Sequence, residues 1–314
     1  MLTKARKALK NKQIYKKAKT FLFGNNVKSG VLYKVIIYLL LAAIGFIYLY
    51  PVLYMLSNSF KSPSDIINPM VNWIPTAFYF GNYQRAFRVL NYFPTLGKSL
   101  LVTLVPALLQ TAITSVIGYG FARFDFKFKK PLFVIVLLTF IIPPQAYMIP
   151  RYVMFFEMKL LENPLAIILP SLFGQGLNSA IFILIFYQFF RMIPRHLLEA
   201  AEIDGAGTYY IFFRMAVPLS APAYITSFLF SLVWYWNETY ISSLFLGTAF
   251  PNLQIALANF VSQYQQMYQS DAIKLNEGIR LAATLLIILP MLIVYFALQR
   301  WFVEGIERTG ITGE

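Results

Sequence analysis

Six apolar runs alternate with polar segments along the chain, and each run is long enough to cross a bilayer, which takes roughly 20 mostly apolar residues. Residues 35–56, 99–122 and 131–150 contain no charged side chain. The fourth run, residues 164–190, is apolar but interrupted by Gly174-Gln175-Gly176 and by Asn178. Splitting it there leaves two pieces too short to span, so it counts as one crossing. The fifth run extends from about residue 215 into Trp234-Tyr235-Trp236, and the sixth covers residues 281–299. The pattern predicts an all-α membrane protein with six transmembrane helices. Pro143-Pro144 predicts a kink in the third of them.

Composition agrees with an apolar solvent. The chain of 314 residues is 58% hydrophobic and 13% charged, against about 25% charged in a soluble domain. No independent soluble domain is expected in the polar segments. Residues 1–30 form a Lys-rich leader and residues 31–314 a single six-span domain. The leader has two readings: a basic helix on anionic lipid, at about 1 kcal/mol per basic residue near the surface, or a solvated tail that sets orientation. The first apolar run is longer than a signal-peptide core and starts late, so it is expected to remain as an anchor.

Lys and Arg beside the spans assign the two sides. Ten basic residues and no acidic one precede residue 35, and Arg123, Lys127, Lys129 and Lys130 follow the second run. Arg191, Arg195 and Arg214 follow the fourth, and Arg300 and Arg308 follow the sixth. These alternate segments hold 19 of the 27 basic residues, which predicts cytoplasmic N- and C-termini. Residues 58–97, 151–163 and 247–280 are then external. The net charge of +14 is largely topological and implies no nucleic-acid partner.

Candidate chemistry is sparse. The absence of Cys and a single His, His196, exclude disulfides, thiolate chemistry, His-pair metal sites and a His-based triad within this chain. No Gly-rich phosphate loop of the Gly-x-x-x-x-Gly-Lys-Ser/Thr kind is present, so the chain is not expected to hydrolyse ATP.

The segment between the fourth and fifth runs is the most distinctive. Pro194 can open a helix, Leu197, Leu198, Ala200 and Ala201 supply a small apolar face, and Glu199, Glu202 and Asp204 supply acid. Gly205 can turn the chain at positive φ, and Met215-Ala216-Val217-Pro218 leads into the fifth run. Glu199-Ala200-Ala201, three residues, Gly205, nine residues, then Met215, one residue, Val217-Pro218 resembles the EAA loop of permease subunits in binding-protein-dependent ABC importers. Met215 and Val217 stand where that family has Ile and Leu.

Further blocks resemble the carbohydrate-uptake (maltose-type) branch, as its smaller permease: Tyr119-Gly120-Phe121-Ala122-Arg123-Phe124, Ile193-Pro194, Pro218-Leu219-Ser220-Ala221-Pro222, Trp236-Asn237-Glu238 and residues 299–305. The tail, residues 310–314, departs from the basic Gly-rich ending common there. The resemblance implies a type I ABC importer permease fold in the bacterial cytoplasmic membrane. It also implies a coupling loop at about residues 194–218, with Glu199, Ala200, Ala201, Asp204, Gly205, Val217 and Pro218 engaging an ATPase. Implied partners are a second homologous permease, an ATPase dimer that holds ATP and Mg, and an extracytoplasmic solute-binding protein. This chain itself is expected to hold no cofactor or metal, to make no covalent change, and to move a carbohydrate, an oligosaccharide in particular.

Four polar residues near the spans are candidates for a translocation pathway or gate: Gln175 and Asn178 at the fourth-run interruption, and Asn237 and Glu238 after the fifth. An ionisable residue at membrane depth defaults to a functional reading. The other reading of Glu238 is a solvated residue beyond an aromatic belt, and of the glycines a packing kink. Two alternatives to carbohydrate import are an ion-coupled secondary transporter acting alone, for which Glu238 is the one candidate carboxylate, and a permease for a polyol or glycerophosphodiester.

Overall fold

A computed structural model describes residues 30–270 and 273–310. The basic leader, apart from Gly30, and the end of the tail lie outside these residues. Every regular element described is helical. The chain divides between Tyr79 and Phe80 into two compact units.

The first unit is one long helix and a folded loop. Helix α1 (Val31–Ser59) is longer than the predicted span and has no charged residue after Lys34. Its apolar side chains are exposed nearly all round, as for a helix whose solvent is lipid. The loop after it contains helix α2 (Pro63–Ile67). Lys61 donates to the carbonyls of Val71 at 3.0 Å and Asn72 at 2.6 Å. Ser62 and Asp65 form a capping box at the start of α2, and the Thr76 hydroxyl donates to Asp65 at 2.7 Å.

The Thr76 hydrogen bond is the largest of the influences that hold the Asp65 carboxyl below its usual range. A depressed folded-state value means this contribution is full above about pH 4 and is lost as pH falls through the folded value. Acidification below pH 4 is therefore expected to speed amide exchange at Asp65 and Thr76 in bilayer-embedded protein. Thr76→Val is expected to move that transition to higher pH, and an unshifted transition would refute the assignment.

The second unit is built around helix α4 (Tyr92–Arg123), preceded by α3 (Gly81–Val89). Its neighbours are α7 (Leu165–Leu172), α8 (Ser179–Met192) and α12 (Ala221–Asn237), while α14 (Glu277–Gly310) packs on α12 and α3. The buried face of α4 is small and polar: Ser99, Thr103, Ala107, Thr111, Thr114 and Gly118 recur at steps of three and four residues. Between lipid-embedded helices, small residues let the backbones approach. The hydroxyls of Ser99, Thr111 and Thr114 each donate to the carbonyl four residues earlier, at 3.0, 2.8 and 2.6 Å. At Gly118 a β-carbon would lie 2.6 Å from Phe186 Cβ and 3.0 Å from the Tyr187 amide nitrogen. Only Gly permits this approach of α4 to α8.

Three of the predicted spans are broken. The third comprises α5 (Lys129–Ile141) and α6 (Pro144–Glu157), bent by 96° at the proline pair. Pro143-Pro144 is thus a corner, larger than the expected kink. The fourth ends α7 at Leu172 and resumes with α8 at Ser179. The fifth enters through α10 (Thr208–Ile211), a π turn over Phe212–Ala216 and α11 (Val217–Leu219), then bends by 75° into α12. Three helices are long and apolar enough to cross a membrane, or up to six if each of three bent pairs is one span: α5 with α6, α8 with the short helix Arg195–Ile203 that follows it, and residues 208–219 with α12.

Candidate functional site

The segment singled out in the sequence forms a short helix, α9 (Arg195–Ile203), turned 71° from α8. Pro194 sits at its N-cap in extended conformation. At its far end the Ala206 amide donates to the Ala201 carbonyl at 2.9 Å and the Gly205 amide to the Glu202 carbonyl at 3.0 Å. With Gly205 at φ +87°, this is a complete Schellman cap. The four-residue spacing of Ala201 and Gly205 is thereby explained: they are the third-from-last residue of the helix and the left-handed residue just past its end.

The apolar residues of α9 divide between two faces. Leu198 is buried and Ala201 half-buried against Tyr119, Phe186, Phe190, Ile211 and Phe212. Leu197, Glu199, Ala200, Asp204 and Gly205 are exposed. The expected common face of Leu197, Leu198, Ala200 and Ala201 is therefore split, because adjacent residues lie about 100° apart around a helix. Farther on, Ile203 and Tyr209 are 87% and 81% exposed, and Phe213 is also exposed. These large apolar side chains on an otherwise polar loop were not singled out in the sequence.

Val217 is half-buried against the same cluster, and Pro218 is exposed in the first turn of α11. Pro218 has no amide hydrogen for the helix ladder. Just before it, the Val217 amide donates to Phe212, five residues back, closing the π turn. The basic loop after α4 is tied to the same end of the unit. Arg123 Nη2 donates to the Phe190 carbonyl and, at 2.7 Å, to the Ile193 carbonyl. A cation thus caps the C-terminus of α8 and fixes where α9 begins.

A second arrangement lies at the break between α7 and α8. Helix α7 also ends in a Schellman cap: Gly174 has φ +69°, and its amide and that of Gln175 donate to Ser171 and Pro170, at 3.3 and 2.7 Å. The backbone freed between the helices is satisfied by a closed polar ring. The Tyr235 hydroxyl donates to Gln110 Oε1 at 2.7 Å, Gln110 Nε2 donates to the Leu177 carbonyl at 2.6 Å, and the Leu177 amide donates to the Tyr235 hydroxyl at 3.2 Å. A β-carbon on Gly176 would be driven into the Gln110 side chain and the Tyr235 hydroxyl.

Beside the ring is a cavity of about 240 Å³ lined by, among others, Gln175, Asn178, Arg151, Tyr147, Glu238 and Ser242. Gln175, Asn178 and Glu238 are brought together there. Asn237 is not; it borders an apolar groove with Trp236, Ile288 and Met291. Glu238 accepts from the Ile241 amide at 2.5 Å, at the start of α13 (Tyr240–Leu246). Gln110, Tyr235 and Arg151 were missed as site residues. The one signal was Gln110, the sole carboxamide in the uncharged second run. Among the described residues, no group of three or more His, Asp or Glu could hold a metal ion.

Residues 110–308 match the family described as "Binding-protein-dependent transport system inner membrane component". The chain is 27% identical over 285 residues to an arabinooligosaccharides transport system permease protein of Bacillus subtilis (strain 168), covering 90% of this chain and 96% of that protein. It is 31% identical over 291 residues to an osmoprotective compounds uptake permease protein of Synechocystis sp. (strain ATCC 27184 / PCC 6803 / Kazusa), covering 90% of this chain and 94% of that protein. It superimposes with a TM-score of 0.71 on one chain of a bacterial ABC transporter involved in the import of the acidic polysaccharide alginate. The superposition covers 86% of this chain and 96% of that one, at 20% identity. With the all-helical unit around α4 and its bent spans, these likenesses place the chain: it belongs to the family of inner membrane components of binding-protein-dependent transport systems, as a transmembrane permease of an ABC importer.

Proposed function

We propose that this permease carries a carbohydrate, an oligosaccharide in particular, chemically unaltered through a six-span domain whose ends both lie in the cytoplasm, and that α9 is where an ATPase pulls on it. The observation that carries the coupling reading is the exposed Schellman-capped helix, with Glu199, Ala200, Asp204 and Gly205 outward and Leu198 inward. Such a helix has one face anchored in its own domain and one open to a partner. Arg123 supports the topology, since it joins the basic loop after α4 to the start of α9 on one side. A second homologous permease, an ATPase pair holding ATP and Mg, and an extracytoplasmic binding protein complete the assembly.

The carbohydrate reading is supported by the names of the Bacillus subtilis permease and the alginate importer. A polyol-like solute is the second reading, favoured by the Synechocystis relative named for osmoprotective compounds. Family membership displaces the ion-coupled transporter acting alone. Gln175, Asn178 and Glu238 are assigned to the pathway because they share one cavity, and Asn237, exposed beside an apolar groove, is not.

Tagged purification from the native membrane in mild detergent is expected to recover a second permease and an ATPase, identified by mass spectrometry. Recovery of this chain alone, active in liposomes without ATP, would overturn the proposal.

A further inference from the structure

Arg151 is the residue around the cavity that neither the polar ring nor the helix breaks explain. It lies on α6, and its guanidinium carbon sits 5.2 Å from the centroid of the Phe155 ring and 5.4 Å from that of Phe245. Both rings are buried core, and Tyr152 stacks on Phe245 as well. Stacking on aromatic faces engages the flat sides of a guanidinium and leaves its in-plane N–H donors for an acceptor. Among the described residues these donors make no hydrogen bond or ion pair. The carboxylate of Glu238 borders the same cavity but lies beyond the 4.0 Å limit of a salt bridge. The group stays charged at any ordinary pH, and an unpaired charge on a bent candidate span calls for a function.

We propose that Arg151 receives the carboxylate of an acidic sugar, a uronate unit, inside this cavity. The inference rests on the carbohydrate reading above and narrows it. One guanidinium fork matches one planar carboxylate bidentately. Glu238 uses one oxygen on the Ile241 amide, leaving the other to accept from a sugar hydroxyl, while Gln175 and Asn178 offer both donors and acceptors. Glu238 also repels a carboxylate, which fixes the orientation: charge toward Arg151, hydroxyls toward Glu238. A volume of about 240 Å³ falls below the ~300–1,000 Å³ of pockets for drug-sized ligands. It therefore suits one unit of an oligosaccharide at a time.

The test uses the complete transporter with its co-purifying chains and binding protein, reconstituted in liposomes with ATP. Probes are oligogalacturonates and oligomannuronates, their carboxyl-reduced neutral counterparts, and a glycerophosphodiester. Uptake of a uronate oligomer is expected, and Arg151→Gln is expected to lower it ~10- to 100-fold, the range a charge-assisted pair supplies. The neutral counterpart should lose far less in that variant, and Arg151→Lys should restore part of the uronate uptake. Uptake of neutral sugars only, unaffected by Arg151→Gln, would overturn this inference and leave the carbohydrate reading standing. Equal loss of charged and neutral sugars in both variants, with loss of the second permease, would also overturn it, by making Arg151 an anchor for a partner's carboxylate. Uptake of the glycerophosphodiester alone would overturn the carbohydrate reading as well.

Discussion

Gly205→Val is expected to abolish ATP-coupled uptake while the protein still inserts in the membrane at normal levels. Gly205→Asn should retain a substantial part of the activity. The residue sits at φ +87°, where an L side chain other than Asn or Asp costs about 1–2 kcal/mol, and a β-branched one more. A β-carbon there would meet nothing within 4 Å, so the strain is in the backbone and no clash accompanies it. To relieve it, the chain must leave the left-handed conformation. The Ala201 and Glu202 carbonyls then lose the amides of Ala206 and Gly205, and the exposed end of α9 unwinds. The rest of the unit is held by Leu198, Ile211 and Phe212, which lie outside the cap, so insertion survives. ATP-dependent uptake in proteoliposomes, with membrane content measured by immunoblot, separates the two effects. Wild-type uptake by the valine variant would show that the cap has no part in coupling.

Much of this was legible in the sequence because hydropathy and backbone chemistry are local. The uncharged runs mark the membrane-embedded helices, and Gly205 announces a positive-φ turn by its identity. The division of α9 into two faces was not legible, since Ala200 and Ala201 have the same chemistry and only the packing of Leu198 decides which points outward. At the fourth span, Gly174-Gln175-Gly176 marked an interruption without saying whether it was a kink or a helix end. The answer depends on Gln110 and Tyr235, which come from α4 and α12 and reach Leu177 only in the folded chain. Arg151 was read as the edge of an external segment, because its position after a 96° corner follows from how α6 folds back. Residue spacing predicted the local turns; the partners that satisfy them are long-range.

Gln110→Leu is expected to cost the second unit about 2–4 kcal/mol and most of its transport, more than a single interhelical hydrogen bond in a membrane protein usually supplies. Such bonds average about 0.6 kcal/mol because the separated helices find other partners. Here the groups served include backbone outside any helix. Gln110 Nε2 satisfies the Leu177 carbonyl and Gln110 Oε1 accepts from Tyr235; Gln110 is fully buried and Tyr235 nearly so. Removing the amide orphans an acceptor and a donor together, at about 1–3 kcal/mol for each unsatisfied buried group. Tyr235→Phe also removes two bonds, to Gln110 Oε1 and from the Leu177 amide, but should have a smaller effect, because the second is the longest of the three, at 3.2 Å. The double variant should be less damaged than the two single losses added together, by ~0.5–3 kcal/mol, since each change already breaks the bond shared by Gln110 and Tyr235. Thermal unfolding in detergent, followed for all three variants beside uptake, gives the cycle. Strict additivity would mean that the two side chains act independently. A Gln110→Leu protein with unchanged melting and transport would mean that the break between α7 and α8 is held by packing alone.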